Sequence, residues 1–193
     1  MPDPTRVVIA EDEAIIRLDL KELLEEEGYE VVGETGRGDE AIELVRETAP
    51  DLVILDIKMP GMDGLSAARH ITSERLAAVL VLTAFSQRDL VEQARDAGAL
   101  AYLVKPFQKS DLIPAIEMAI GRYAELASLE RDVGDLAERL ETRKIIDRAK
   151  GVLMDQHGKT EHEAWRFLQQ RAMQNRVKVQ DIARRVVDGE LTP

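Results

Sequence analysis

Leu52-Val53-Ile54-Leu55-Asp56 is an apolar run closed by a carboxylate, and its reading decides the fold of this chain. Apolar residues without alternation mark a strand buried on both faces, the habit of parallel sheets. Val7-Val8-Ile9-Ala10, Val79-Leu80-Val81-Leu82 and Ala101-Tyr102-Leu103-Val104 repeat the pattern. Val31-Val32 with its flanks supplies a weaker strand, second in chain order. Between them Ile15 to Leu24, Ala41 to Val45, Leu65 to Ile71 and Leu90 to Ala97 carry helical spacing. Five such units imply an α/β fold with a doubly wound, five-stranded parallel sheet. Folds of this kind place their site at the carboxyl ends of the strands.

The polar residues at those ends point to a chemistry. Glu11 and Asp12 follow the first strand, Asp56 ends the third, Thr83 the fourth, and Lys105 follows the last. Residues far apart in the chain therefore gather at one edge of the sheet. Grouped carboxylates repel and raise one another's pKa unless a cation intervenes. A hard divalent ion resolves this, and Mg²⁺, octahedral and keeping several waters, fits best. Such an ion also neutralises charge on a phosphoryl group under in-line attack by Asp56. Lys105 can then pair with the new phosphoryl oxygens, and Thr83 can hydrogen-bond one of them.

With Glu11-Asp12, Asp56-Ile57-Lys58-Met59-Pro60-Gly61-Met62-Asp63-Gly64, Thr83-Ala84 and Lys105-Pro106-Phe107 in place, residues 6 to about 122 resemble the receiver domain of bacterial response regulators. The resemblance implies a flavodoxin-like sheet and a phosphoacceptor role for Asp56, which would attack a phosphohistidine on a sensor histidine kinase. It implies that Asp12 binds Mg²⁺ directly, Glu11 through water and Lys58 through its backbone carbonyl. It further implies a cis Lys105–Pro106 bond. Tyr102 falls at the family's switch position, where the ring turns inward as Thr83 moves toward the phosphoryl group; the alternative is packing at the end of the last strand. Glu11 stands where many members carry a second Asp, and its longer side chain can shift metal affinity.

From Ser110 the pattern is purely helical. Ser110 and Asp111 read as capping residues, and Pro114 falls near the first turn. Leu126, Leu129, Val133, Leu136 and Leu140 follow the 3-4-3-4 spacing of a coiled-coil seam, which either joins two protomers or folds back on its own chain. Gly158 reads as a helix stop, and Thr160 with Glu163 as the capping box of the next helix. Ala164, Trp165, Leu168 and Ala172 are its apolar positions, and Val179, Ile182, Ala183, Val186 and Val187 those of a final helix.

Arg143, Ile146, Ala149-Lys150-Gly151, Leu153-Met154, Gly158, Glu161, Ala164-Trp165, Leu168, Ala172, Val179, Ile182-Ala183 and Val186 resemble the ANTAR domain, the RNA-binding module of transcription antiterminators. The resemblance spans roughly residues 130–188, and Gln169 stands where that family often has arginine. It implies binding to RNA hairpins, whose loop bases are readable where duplex grooves are not. Ile146, Leu153, Met154, Leu168, Ile182 and Trp165 are expected in the core, with base stacking the alternative for Trp165. Small residues at Ala149 and Gly151 serve either close approach of a phosphate backbone or helix packing. Arg143, Lys144, Arg148 and Lys150 are the first candidates for phosphate contacts, followed by Arg171, Arg176 and Lys178.

Charge divides along the same line. Residues 1–124 hold 13 Lys/Arg against 24 Asp/Glu, which is the whole net charge of −11, while residues 125–193 are balanced. Within them residues 143–185 carry 11 basic against 5 acidic, or +6. The absence of cysteine excludes disulfides, thiolate metal sites and a cysteine nucleophile. No long apolar run or signal-peptide pattern occurs, so a cytoplasmic protein without a membrane partner is expected. The expected organisation is a receiver over 1–122, a helical coiled-coil linker over 123–142 and an RNA-binding domain over 143–193. The expected function is a response regulator whose phosphorylation at Asp56 controls transcription antitermination, with no catalysis beyond its own phosphoryl transfer and dephosphorylation. A DNA-binding helical tail or a protein-interaction adaptor are the alternatives.

Overall fold

The computed structural model describes residues 3–84 and 88–192. The chain divides into two compact units, residues 1–127 and 128–193. In the first, β1 (Arg6–Ala10), β2 (Glu30–Thr35), β3 (Leu52–Asp56), β4 (Ala78–Thr83) and β5 (Ala101–Val104) alternate with α1 (Ala14–Glu26), α2 (Gly38–Thr48), α3 (Gly64–Ser73) and α4 (Arg88–Asp96). All strand pairs are parallel, in the order β2-β1-β3-β4-β5.

The unbroken apolar runs are explained by two cores, one on each face of the sheet. Val8, Ala10, Val53, Leu55, Val79 and Val81 face Ala41 and Val45 of α2 and Ile71 of α3. The intervening Val7, Ile9, Leu52, Ile54, Leu80 and Leu82 face Leu20 and Leu24 of α1 and Leu112 and Ile116 of α5 (Lys109–His157). Alternate residues therefore enter opposite cores, and every position must be apolar. β2 lies at the edge, with a register shift opposite Val7 and Val8. Its Glu30 and Glu34 are exposed and Gly33 stands between them, which explains its weaker signal.

The helix α5 spans Lys109–His157. Its start differs from the expected cap. Asp111 accepts from the Gln108 backbone N–H at 3.0 Å, so Gln108 stands at the cap and Asp111 answers from the first turn. Pro114 lies inside the helix, past the turn whose N–H groups lack partners. Tyr123 Oη donates to the Arg75 carbonyl at 2.6 Å, and Arg122 Nη1 to that of Leu100 at 3.1 Å, fastening this part of α5 to the first unit.

In the second unit α5 contributes Ala149 and Leu153 to a core completed by Ala164, Leu168 and Ala172 of α6 (Glu161–Asn175) and Ile182, Ala183 and Val186 of α7 (Val179–Val187). Gly158, at φ +63°, ends α5, and the Thr160–Glu163 capping box opens α6 as its spacing predicts. Thr142 Oγ1 donates to Gln180 Oε1 at 2.7 Å, tying α5 to α7. Two expected core residues lie elsewhere. Met154 is 41% exposed and Trp165 36%. The inward stripe of α6 is Ala164, Leu168 and Ala172, and one residue further along turns the side chain by about 100° toward its margin.

Candidate functional site

Each strand end delivers one component of the site. The Glu11 backbone N–H donates to the Thr35 carbonyl at 2.9 Å, continuing β1 alongside β2. Asp56 closes β3, and Lys105 N donates to the Thr83 carbonyl at 2.7 Å just beyond β5. The Lys105–Pro106 bond is cis, in line with expectation. Gly64 opens α3 against this edge: a Cβ there would stand 1.9 Å from the Asp56 carbonyl oxygen. Asp63 caps the helix by accepting from Ser66 N at 2.8 Å.

Lys105 Nζ lies 2.6 Å from Glu11 Oε2 and 3.1 Å from Asp56 Oδ1. Oxygens of Glu11, Asp12 and Asp56 fall within 4.8 Å of one another. Asp56 Oδ2 accepts from the Lys58 backbone N–H at 3.3 Å, and Glu11 Oε1 from that of Glu13 at 3.3 Å. Burial pushes both the Glu11 and Asp56 carboxyls above the ordinary range, and Lys105 only partly offsets it. Burial also works against the Lys105 charge, but its bonds to Glu11 and Asp56 outweigh this and raise its pKa.

Glu11 is fully buried, and apart from Lys105 its Oε2 has no hydrogen-bond partner among the described residues. A buried, under-satisfied carboxylate oxygen facing two further carboxylates suits a hard divalent cation. Thr83 is buried at the end of β4, whereas Tyr102 is 48% exposed. The ring of Tyr102 thus stands outward here rather than packed at the strand end. Sequence reasoning missed Arg17, whose guanidinium donates to the Glu11 carbonyl. Ile15 and Leu18, 77% and 54% exposed, lie about one turn apart on α1, the helix that follows Asp12 in the chain.

The basic residues of the second unit are not equivalent. Lys150 pairs with Asp147 at 2.8 Å and Glu161 at 2.9 Å, so it bridges α5 and α6. Lys144 pairs with Glu141 at 2.7 Å and Arg143, more loosely, with Asp147 at 3.8 Å. Arg171 lies 5.3 Å from the Phe167 ring centroid. Among the described residues Arg148 has no ion pair, nor do Arg166, Arg176 and Lys178, which flank one concavity at the α6–α7 junction. Ala149 is core, while a Cβ on Gly151 would meet nothing within 4 Å.

Comparison with known proteins bears on both units. The response regulator receiver domain model matches residues 7–117, and the ANTAR domain model residues 134–187. The chain is a response regulator with a receiver and an ANTAR domain. The transcriptional regulatory protein PdtaR of Mycobacterium tuberculosis is 58% identical over 190 residues, covering 98% of this chain and 93% of PdtaR. The chemotaxis protein CheY of Thermotoga maritima is 41% identical over 112 residues, 58% of this chain and 93% of CheY. Among solved structures, the CheX–CheY–BeF3–Mg²⁺ complex from Borrelia burgdorferi is similar to the receiver, with a TM-score of 0.56 and 26% identity over 58% of this chain and 87% of that one. In this response regulator the acidic pocket is of the Mg²⁺-binding kind, and the ANTAR domain is of the antiterminator, RNA-binding kind. No helix among the described residues is long and apolar enough to cross a membrane.

Proposed function

We propose that Asp56 accepts a phosphoryl group from a sensor histidine kinase, and that this controls binding of RNA hairpins by the ANTAR domain and hence transcription antitermination. The observation that carries the receiver half is the Lys105 ammonium 3.1 Å from Asp56 Oδ1, at the point where three carboxylates converge. An Asp56 oxygen attacks phosphorus in line as the bond to the kinase imidazole nitrogen breaks, and the imidazole leaves with its electron pair. Mg²⁺ held by Glu11, Asp12, Asp56 and the Lys58 carbonyl would supply neutralisation of the equatorial oxygens. Lys105 exchanges its carboxylate contacts for the new phosphoryl oxygens, Thr83 closes on another, and Tyr102 turns inward into the space released. Ile15 and Leu18 offer the kinase an exposed apolar surface on α1.

Leu126, Leu129, Val133, Leu136 and Leu140 are between 48% and 68% exposed, which favours a partner helix from a second copy over a fold-back on the same chain. Two joined ANTAR domains grip two hairpins with more than additive strength. The test is direct. With acetyl phosphate and Mg²⁺ the protein should acquire one acid-stable, base-labile phosphoryl group that Asp56→Asn lacks. Phosphorylation should also tighten hairpin binding in a gel shift. Labelling of Asp56→Asn elsewhere, or equal affinity for hairpin RNA and duplex DNA, would refute the reading.

A further inference from the structure

Trp165 is the only tryptophan of the chain. It stands outside the core of its own domain and, with Ile146, lines two shallow concavities between α5 and α6, one toward Arg139 and Arg143, the other toward Lys150 and His162. An indole spends more apolar area than any other side chain, and this one leaves a third of itself in water. It does not stand alone. Gln169 and Met173 follow at i+4 and i+8 on α6, both exposed, Met173 to 80%. The row therefore presents an aromatic face, an amide and a soft thioether to solvent, with Arg139 and Arg143 at its start and Arg166 along its flank.

From this arrangement, and resting on the RNA reading above, we infer that Trp165 is the stacking platform for one unpaired base of the hairpin loop. Gln169 reads an edge of the neighbouring base, and Arg139 and Arg143 hold the flanking phosphates. The chemistry selects this occupant. A π-face beside guanidinium groups suits a base joined to its own phosphate, and stacking accepts a base only where the strand is unpaired. A helix of a partner protein would instead want a continuous apolar groove, and Gln169 interrupts this one. The inference also accounts for the Gln169 departure from arginine: an amide offers both donor and acceptor to a base edge, where a guanidinium offers donors only.

Because Trp165 has no fluorescent rival of its kind, the full-length phosphorylated protein reports directly. Titration with a short RNA hairpin bearing an unpaired loop should quench its emission saturably, in step with the gel shift, and the loopless duplex of the same stem should not. Trp165→Leu keeps an apolar cover over Ile146 and should weaken hairpin binding roughly ten-fold while leaving the melting temperature and the salt dependence unchanged. Trp165→Phe should restore most of the affinity. Arg139→Ala with Arg143→Ala should instead flatten the salt dependence by up to about two phosphate contacts. Hairpin binding without quenching, or Trp165→Leu binding like the parent, would overturn the inference and leave the antiterminator reading standing. No hairpin binding at all would remove both.

Discussion

Lys105 approaches Glu11 more closely than Asp56, 2.6 Å against 3.1 Å, so in the unphosphorylated state the lysine is shared and the phosphoacceptor is only partly paired. Burial holds both carboxyls above their ordinary values. A carboxyl whose folded pKa is raised contributes stability that is complete below its unfolded value and is lost as pH rises through the folded one. For Asp56 that loss begins above the ordinary 3.8. In EDTA, Asp56→Asn should therefore melt higher than the parent at pH 7, by roughly 2–4 °C for each kcal/mol relieved. The advantage should fade as pH falls toward about 4. Calorimetry across that range checks it; a variant that melts lower at pH 7 would mean that Lys105 overcompensates the burial.

Gly64 makes the same site sensitive to a single methyl group. A Cβ there would overlap the Asp56 carbonyl oxygen at 1.9 Å, and backbone cannot yield as a flexible side chain does. Gly64→Ala should destabilise the receiver by about 2 kcal/mol or more and slow labelling by acetyl phosphate. Gly121→Ala, with nothing within 4 Å of its Cβ, is the control and should leave both unchanged or gain slightly in stability.

Arg148 and Lys150 should behave differently although both are basic and two positions apart. Lys150 is engaged by Asp147 and Glu161, while Arg148 is exposed and unpaired. Arg148→Ala should reduce the salt slope of hairpin binding by about one contact with no change in melting. Lys150→Ala should lower the melting temperature slightly, by the worth of a surface pair of about 1 kcal/mol at most, with a smaller effect on the slope. Equal slopes for the two variants would show that RNA displaces the carboxylates.

The exposed seam predicts assembly. Val133→Glu with Leu136→Glu places two charges in its middle and should hold the phosphorylated protein at monomer mass in light scattering, where the parent moves toward a dimer. A parent that stays monomeric in both states at high concentration would count against the seam as a joint.

The receiver was legible because its signals are local and redundant. Residues of β1, β3 and β4 enter two cores by turns, so each strand had to be apolar at every position, and the polar residue that ends it stood out. β2, only partly buried and carrying exposed Glu30 and Glu34, faces no such demand and is faint. The ANTAR domain was less legible at its surface. Helical period places Ala164, Leu168 and Ala172 on one side, but it does not give the width of the buried stripe, and so it points Trp165 and Met154 inward as well. Nor does it show that Glu161, across the Gly158 turn, reaches back to Lys150. Arg17 bonds through a backbone carbonyl, an interaction with no residue-type signature at all.

The pairing of Lys144 with Glu141 bears on how quickly the domain finds its target. Residues 143–185 carry a formal +6 in which Asp147 and Glu161 are already counted, yet Lys144 also faces Glu141 just outside that span, and residues 125–193 as a whole are balanced. The field felt a Debye length away is correspondingly weaker than the formal count. A protein with a strong basic field is drawn to any polyanion and spends its time on the wrong ones. Muting that field gives up some association rate, but it shortens the dwell on bulk cellular RNA and leaves discrimination to the fit made after contact.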